Sequence, residues 1–280
     1  MKKIICSCLL LFFYNLGFSQ TQTDSLIVLD TIPKEKELPL KIQHAEPLYI
    51  DLMRDLGARK GEAEFNLGFG VANHKSFYEY NGFIEYEWAV ADRLGLEVEI
   101  PFSFNNGIGT INTAPNNRIE GIKLATQYTF LVNEKHQTSL AVGYLHEFEM
   151  SSFKSLGNKG PLFDGMKMNP IFIAAKKMNN FHTLLYMGPI IENHFSTNNT
   201  EVYGTLNASL HYMLKGNHFI GIENNMEIHK NEFVYVMRPQ MKVVLLHNLS
   251  VGILTGIPLT HKDDMKMDFM TRIIWEPNFK

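Results

Sequence analysis

The stretch GFIEYEWAVADRLGLEVEIPF, residues 82–102, carries Glu85, Glu87, Glu97 and Glu99 at every second position within its two halves. Carboxylates held close together can do acid–base work, hold a cation or line a water-filled passage, and their spacing decides which of them act together. Period two is the repeat of an extended strand, whose successive side chains point to opposite faces. The acids therefore share one face of their strands, and Ile84, Tyr86, Trp88, Leu96, Val98 and Ile100 share the other.

The same parity runs from Glu62 to the end of the chain. AEFNLGFGV places Ala63, Phe65, Leu67, Phe69 and Val71 on one face and Glu64, Asn66, Gly68 and Gly70 on the other. SFYEYNGFIEYEWAV sets Tyr78 and Tyr80 opposite Glu79 and Asn81, and further alternating segments bring the total to about twelve, an even number. Every second link is short, as in ADR, NEKH, KMNN, KGN and LHN, whereas the other links include residues 105–117 and 151–166. Strands near ten residues, short turns at one end, longer loops at the other and aromatics near strand ends describe a transmembrane β-barrel. The final strand, with Phe269, Thr271, Ile273 and Trp275 outward and Asp268, Arg272 and Glu276 inward, can pair with the first and abolish the edge. The fold expected is thus all-β: an antiparallel outer-membrane barrel over 62–280, aromatics toward lipid and glutamates toward water inside.

The first residues, MKKIICSCLLLFFYNLGFSQ, put Lys2 and Lys3 ahead of an apolar run that ends in small residues, the layout of a secretory signal peptide over 1–19. The run from Ile4 to Phe18 is broken by Asn15 and is shorter than the roughly 20 residues of a spanning helix. Neither cysteine closes the run, as a lipid anchor would require. Cys6 and Cys8 would leave with the leader, so disulfides, thiol chemistry and Cys-based zinc sites are not expected. The formal charge of -3 becomes more acidic without Lys2 and Lys3, the wrong sign for a nucleic-acid partner.

Residues 20–43 are polar and proline-punctuated and read as a linker. In 44–61, Pro47 suits a first helical turn and Gly57 an end, while Tyr49, Leu52, Met53 and Leu56 recur at i, i+3, i+4 and i+7. This spacing predicts a short amphipathic helix that lies at the rim, plugs the barrel or acts as a lid, with those four residues as its gate.

HAEPLYIDLMRDLGARKGE, residues 44–62, resembles the signature of the HAEPLYID-type proteins of Bacteroidota. The resemblance implies a secreted, barrel-like protein in a Gram-negative envelope, of unassigned function and with no catalytic residue to carry over.

Outer-membrane phospholipases and lipid A deacylases resemble the layout in size and use a His-x-Ser pair on a barrel strand. The nearest arrangement here is His247-Asn-Leu-Ser250, at the wrong spacing for a base to reach its nucleophile, so no enzyme is expected. Met265-Lys-Met267 and Met166-Lys-Met168 offer soft ligands of the kind Cu(I) prefers. Met265 and Met267 fall, however, on the lipid face with Phe269 and Trp275. His218, Glu223, Glu227 and His229 surround one hairpin, but only the two glutamates have inward parity. Neither a metal nor a cofactor is expected. The inward charges are Glu64, Glu79, Glu85, Glu87, Glu97, Glu99, Lys123, Glu223, Arg238, Lys242 and Arg272. They suit a narrow channel for passive passage of a small polar solute, or a non-conducting structural or partner-binding barrel whose lumen is filled by ion pairs. The partners expected are outer-membrane lipid, the barrel assembly machinery and that solute.

Overall fold

A computed structural model describes residues 38–50, 52–109, 114–260 and 264–277. The alternating segments form β1 (Ala63–His74), β2 (Phe77–Ala91), β3 (Leu94–Gly107), the two-residue β4 (Arg118–Ile119), β5 (Gly121–Asn133), β6 (Thr138–Met150), β7 (Phe163–Met178), β8 (Phe181–His194), β9 (Asn199–Met213), β10 (Phe219–Ile228), β11 (Phe233–Leu246), β12 (Leu249–Pro258) and β13 (Met265–Trp275). Apart from β4, which only extends the pairing of β3, these strands close a twelve-stranded antiparallel barrel. The last strand meets the first, Phe65 opposite Trp275 and Val71 opposite Phe269, so the ring has no free edge.

Parity sets the two faces as expected. Phe69, Tyr80, Ile84 and Phe104 stand on the outside, whereas Glu64, Glu85, Glu87 and Glu97 are buried within. The turns after β2, β5, β7, β9 and β11 mark one end, and the longer links after β3, β6 and β12 mark the other. Aromatic groups gather near the short-turn end, where Phe65 lies 4.4 Å from Tyr86 and 5.6 Å from Trp275, ring to ring. The long link after β6 holds a one-turn helix, α1 (Phe153–Gly157), started by the Ser152 hydroxyl accepting the Ser155 N–H.

The segment before β1 departs from its predicted form. Its described residues make bends and turns and no helix. The reason lies in the backbone donors: the N–H groups of Ala45, Leu48, Tyr49, Ile50 and Gly57 are spent on lumen side chains rather than on carbonyls four residues back. Burial on several sides replaces the single stripe. Leu48, Leu52, Met53, Arg54, Leu56 and Ala58 are all buried, while Tyr49 is 40% exposed. Gly57 and Gly61, at φ +82° and +91°, reverse the chain toward β1 where a side chain would be strained. The predicted leader and most of the predicted linker lie outside the described residues. From Leu38 the chain is already engaged, with Ile42 buried and Lys41 paired to both Asp55 and Glu62.

Candidate functional site

The segment from Lys41 to Ala58 touches strands around the whole ring and therefore lies inside it as a plug. Leu52, Met53 and Leu56 pack on one wall, against Ala125, Ala141, Ile171, Ile173 and Leu184 of β5 to β8. Ala45 and Leu48 pack on another, with Phe219, Leu254, Met270 and Ile274 of β10, β12 and β13. Three wall glycines make room. A Cβ at Gly95 would stand 2.5 Å from the Arg54 Cβ, one at Gly252 2.6 Å from Leu48 Cδ2, and one at Gly143 3.4 Å from Met53 Sδ.

Between the apolar contacts the wall supplies polar partners to the plug backbone. Glu223 accepts two successive amides, from Tyr49 (3.1 Å) and Ile50 (2.9 Å), and is itself fixed by Asn225 Nδ2 (2.7 Å) and Gln240 Nε2 (3.2 Å). Gln240 Oε1 accepts the Leu48 N–H at 2.7 Å, Thr129 Oγ1 accepts the Gly57 N–H at 3.0 Å, and Gln127 Nε2 donates to the Arg54 carbonyl at 2.6 Å.

Charge joins plug to wall as well. Arg54 sends Nη1 to Glu64 Oε2 (2.9 Å) and Glu87 Oε2 (3.4 Å), and its Nη2 lies 3.2 Å from Asp55 Oδ1. From the wall side Arg272 Nη2 meets Glu85 Oε1 at 2.7 Å and Glu87 Oε1 at 3.6 Å, and Asn66 Nδ2 bridges the same two glutamates at 2.8 and 3.0 Å. Buried ions need this pairing, because an isolated buried charge is costly. Burial alone would favour the neutral forms of Lys41 and Asp55. Their attraction outweighs it, raising the Lys41 ammonium and, with Arg54, holding the Asp55 carboxyl well below the usual range.

Above the plug, toward the long loops, lies a cavity of about 400 Å3 floored by Tyr49, Ile50 and Met53. Of the sequence-predicted charges, Glu79, Glu85, Glu97, Glu99, Lys123, Arg238 and Arg272 line it, joined by Glu120 and Asp268. Lys123 pairs with Glu99 (2.9 Å), and Arg238 pairs with Asp268 (2.6 Å) while stacking over Tyr49, its Cζ 3.5 Å from the ring centre. A smaller cavity of about 60 Å3 lies on the short-turn side, lined by Glu64, Lys242 and Arg272 of the wall with Lys41, Glu46 and Asp55 of the plug. Glu87 and Glu223 serve the plug contacts described above. All eleven predicted charges thus face inward, some against the plug and others around the cavity above it. Of the predicted gate residues, Leu52, Met53 and Leu56 seal against one wall, and Tyr49, with Met53, floors the upper cavity.

The sequence pattern did not single out the plug's histidine contacts. His44 Nε2 lies 2.9 Å from Ser139 Oγ, the Ala45 N–H donates to His182 Nδ1 at 2.8 Å, and the two rings meet edge to face at 6.4 Å. Burial, with His182 and Lys177 nearby, pushes His44 down to about 4 from an ordinary 6.5.

Among the described residues, two acidic groups have the proximity a cation would need. In the group of Glu149, Glu192 and His194 the carboxylates already hold Lys167, whose Nζ is 2.7 Å from Glu149 and 3.7 Å from Glu192, and His194 Nε2 lies 3.3 Å from Glu192. Glu85, Glu97 and Glu99 are served in part by Arg272 and Lys123. Met265 departs from the predicted lipid face: the register shifts at His74, and Met265 turns into the upper cavity, whereas Met267 stays outside.

A closed antiparallel barrel with an apolar exterior, a charged lumen and a stretch of its own chain across the bore has the fold of outer-membrane channels. The chain belongs to the HAEPLYID-like family, whose model matches residues 40–276 and so takes in plug and barrel as one unit. The crystal structure of the COG4313 outer membrane channel from Pseudomonas putida F1 is similar, with a TM-score of 0.65 at 11% identity over 81% of this chain and 99% of that one. The KdgM porin (TM-score 0.51, 11% identity, 77% and 99% covered) and the NanC porin (0.52, 9%, 76% and 99%) share the barrel. At these identities the likeness is one of fold. None of the curated proteins matches the chain in sequence.

Proposed function

We propose that this protein is an outer-membrane channel for a small polar solute, held closed on the short-turn side by its own N-terminal segment. One observation carries the reading: the lumen holds a charge-lined cavity of about 400 Å3 whose floor is a separate stretch of chain rather than the barrel's own side chains. A barrel that only anchored or scaffolded would need no such space. The exterior supports the location, since Phe69, Tyr80, Ile84, Ile222 and Ile253 form an apolar surface that water would disfavour and lipid would cover. Channels and porins among the similar solved structures agree with it.

A second reading, a non-conducting structural barrel, draws on the pairing of Arg54, Arg238 and Arg272 with wall or plug carboxylates, which lets the lumen stand as a filled core. Conductance in planar bilayers separates the two. The chain refolded from residue 20 should show rare or small openings, and a form lacking residues 20–61 stable ones. Silence from both, with barrels shown to be folded by their altered migration on unheated gels, would leave the structural reading.

A further inference from the structure

The cavities above and below the plug meet at one side chain. Arg272 lines both the 400 Å3 space and the 60 Å3 space. Toward β5 to β8 the plug is sealed by Leu52, Met53 and Leu56 packed on apolar wall residues. Along β13, β1 and β2 the partition is different in kind: beside the Leu48 contacts with Met270 and Ile274 it is closed by a guanidinium, 1% exposed, pinned by Glu85 at 2.7 Å and Glu87 at 3.6 Å. An apolar seal yields only if the plug leaves, whereas an ion pair yields when one side chain swings and another cation takes its place.

Resting on the channel reading, we propose that small cations pass beside the seated plug along the β13–β1–β2 wall, and that Arg272 is the constriction that limits them. The sign follows from the linings. Among the described residues, carboxylates outnumber Lys and Arg in both cavities: Glu79, Glu85, Glu97, Glu99, Glu120 and Asp268 face Lys123, Arg238 and Arg272 above, and Glu46, Asp55, Glu64 and Glu276 face Lys41, Lys242 and Arg272 below. Rings and patches of carboxylate favour cations in other pores. A cation arriving from above can take the guanidinium's place against Glu85 and Glu87 at the narrowest point. An anion finds the positive charge there already neutralised and acids on either side. Releasing the plug, by contrast, would expose Leu48, Leu52, Met53 and Leu56 and break the pairs of Arg54 at once.

The experiment locks the plug and then changes Arg272. In the full chain refolded from residue 20, Met53→Cys and Gly143→Cys place two thiols at a contact where a Gly143 Cβ would stand 3.4 Å from the Met53 sulfur. Single-channel currents are recorded in KCl gradients with the disulfide oxidised and reduced. Arg272→Ala with Glu85→Gln removes the block together with the carboxylate it would leave uncompensated, and Arg272→Gln gives a milder change should that pair fail to fold. Conductance several-fold above the Arg272 parent in the oxidised state, with a reversal potential on the K+ side, is expected. Currents only after reduction would overturn the bypass while leaving the channel reading intact. Currents preferring Cl− would overturn the cation assignment, and silence in both redox states from barrels of folded mobility would overturn the channel reading itself.

Discussion

Truncating Arg54 to alanine should unseat the plug and leave the barrel wound. The Arg54 side chain is 2% exposed and holds Glu64 at 2.9 Å and Glu87 at 3.4 Å. Its loss leaves Glu87 with Arg272 at 3.6 Å and the Asn66 amide, and leaves Glu64 with much less. Removing one partner of a buried ion pair costs about 3 to 5 kcal/mol, most of it the penalty of the charge left behind. With tenfold in an equilibrium per about 1.4 kcal/mol, the seated form should lose roughly two to three and a half powers of ten against the released one. The cost falls on docking because the strand ladders on either side of Glu64 and Glu87 keep every backbone bond.

Hydrogen exchange reads this directly. The amides of Leu48, Tyr49, Ile50 and Gly57 are bonded to wall side chains, so their protection reports seating, whereas Ile173 in the β7 ladder reports the barrel. Arg54→Ala should strip protection from the first set and spare the second, and adding Glu87→Gln should restore part of it by removing an orphaned charge. Plug amides that keep their protection within tenfold would refute the reasoning. So would equal losses in plug and β7, which would make Arg54 a pillar of the barrel instead.

Gly252→Val should weaken seating by about 1 to 3 kcal/mol, the usual cost of overpacking, because its Cβ would meet Leu48 Cδ2 at 2.6 Å; faster exchange at the Leu48 amide checks it. Lowering the pH should loosen the plug through His44. Its pKa is lower seated than free, so its contribution is full above about 6.5 and is lost as pH falls toward 4, and His44→Phe should flatten that part of the exchange profile. On the exterior, Val98→Arg should cost the folded barrel about 2 to 4 kcal/mol in lipid and little in a soluble setting, as measured by denaturant unfolding from vesicles. Single cysteines at Leu96 and Leu124 should resist water-soluble thiol reagents in membranes, and labelling there at the rate of exposed turn residues would refute the assigned faces.

The barrel was legible because its signal is repeated: each strand restates the same parity, so an error at one, such as Met265 beside the shift at His74, does not disturb the rest. The inward charges were legible for the same reason. The plug's conformation was not. A recurrence of Tyr49, Leu52, Met53 and Leu56 is a helical signal only where backbone donors look to their own carbonyls, and here Glu223, Gln240, Thr129 and His182, far off in sequence, compete for them. A local pattern carries no record of distant acceptors. One clue to the plug was nonetheless present: NPIFIAAK and FHTLLYMG are apolar at both parities, as strands covered on both faces tend to be. Ile171, Ile173 and Leu184 face inward there, and an inward apolar wall requires an apolar guest.

That wall also bears on what the lumen is for. A wide bore filled with water would gain nothing from Ile171, Ile173 and Leu184 turned toward it, and a barrel filled by its own side chains would have no use for Gly95, Gly143 and Gly252 where the plug presses closest. The wall is shaped on one side for an apolar segment and on the other for a charged one, and the segment supplies Leu52, Met53 and Leu56 to the first and Arg54 to the second. The two contacts differ in how they yield. Apolar packing is lost gradually and regardless of salt, whereas the buried pairs resist screening and fail when a partner is protonated or replaced. Control of seating therefore belongs to the charged side, where Arg54 and Arg272 contend for the same Glu87 carboxylate, and a change at either arginine is felt by both the plug and the passage beside it.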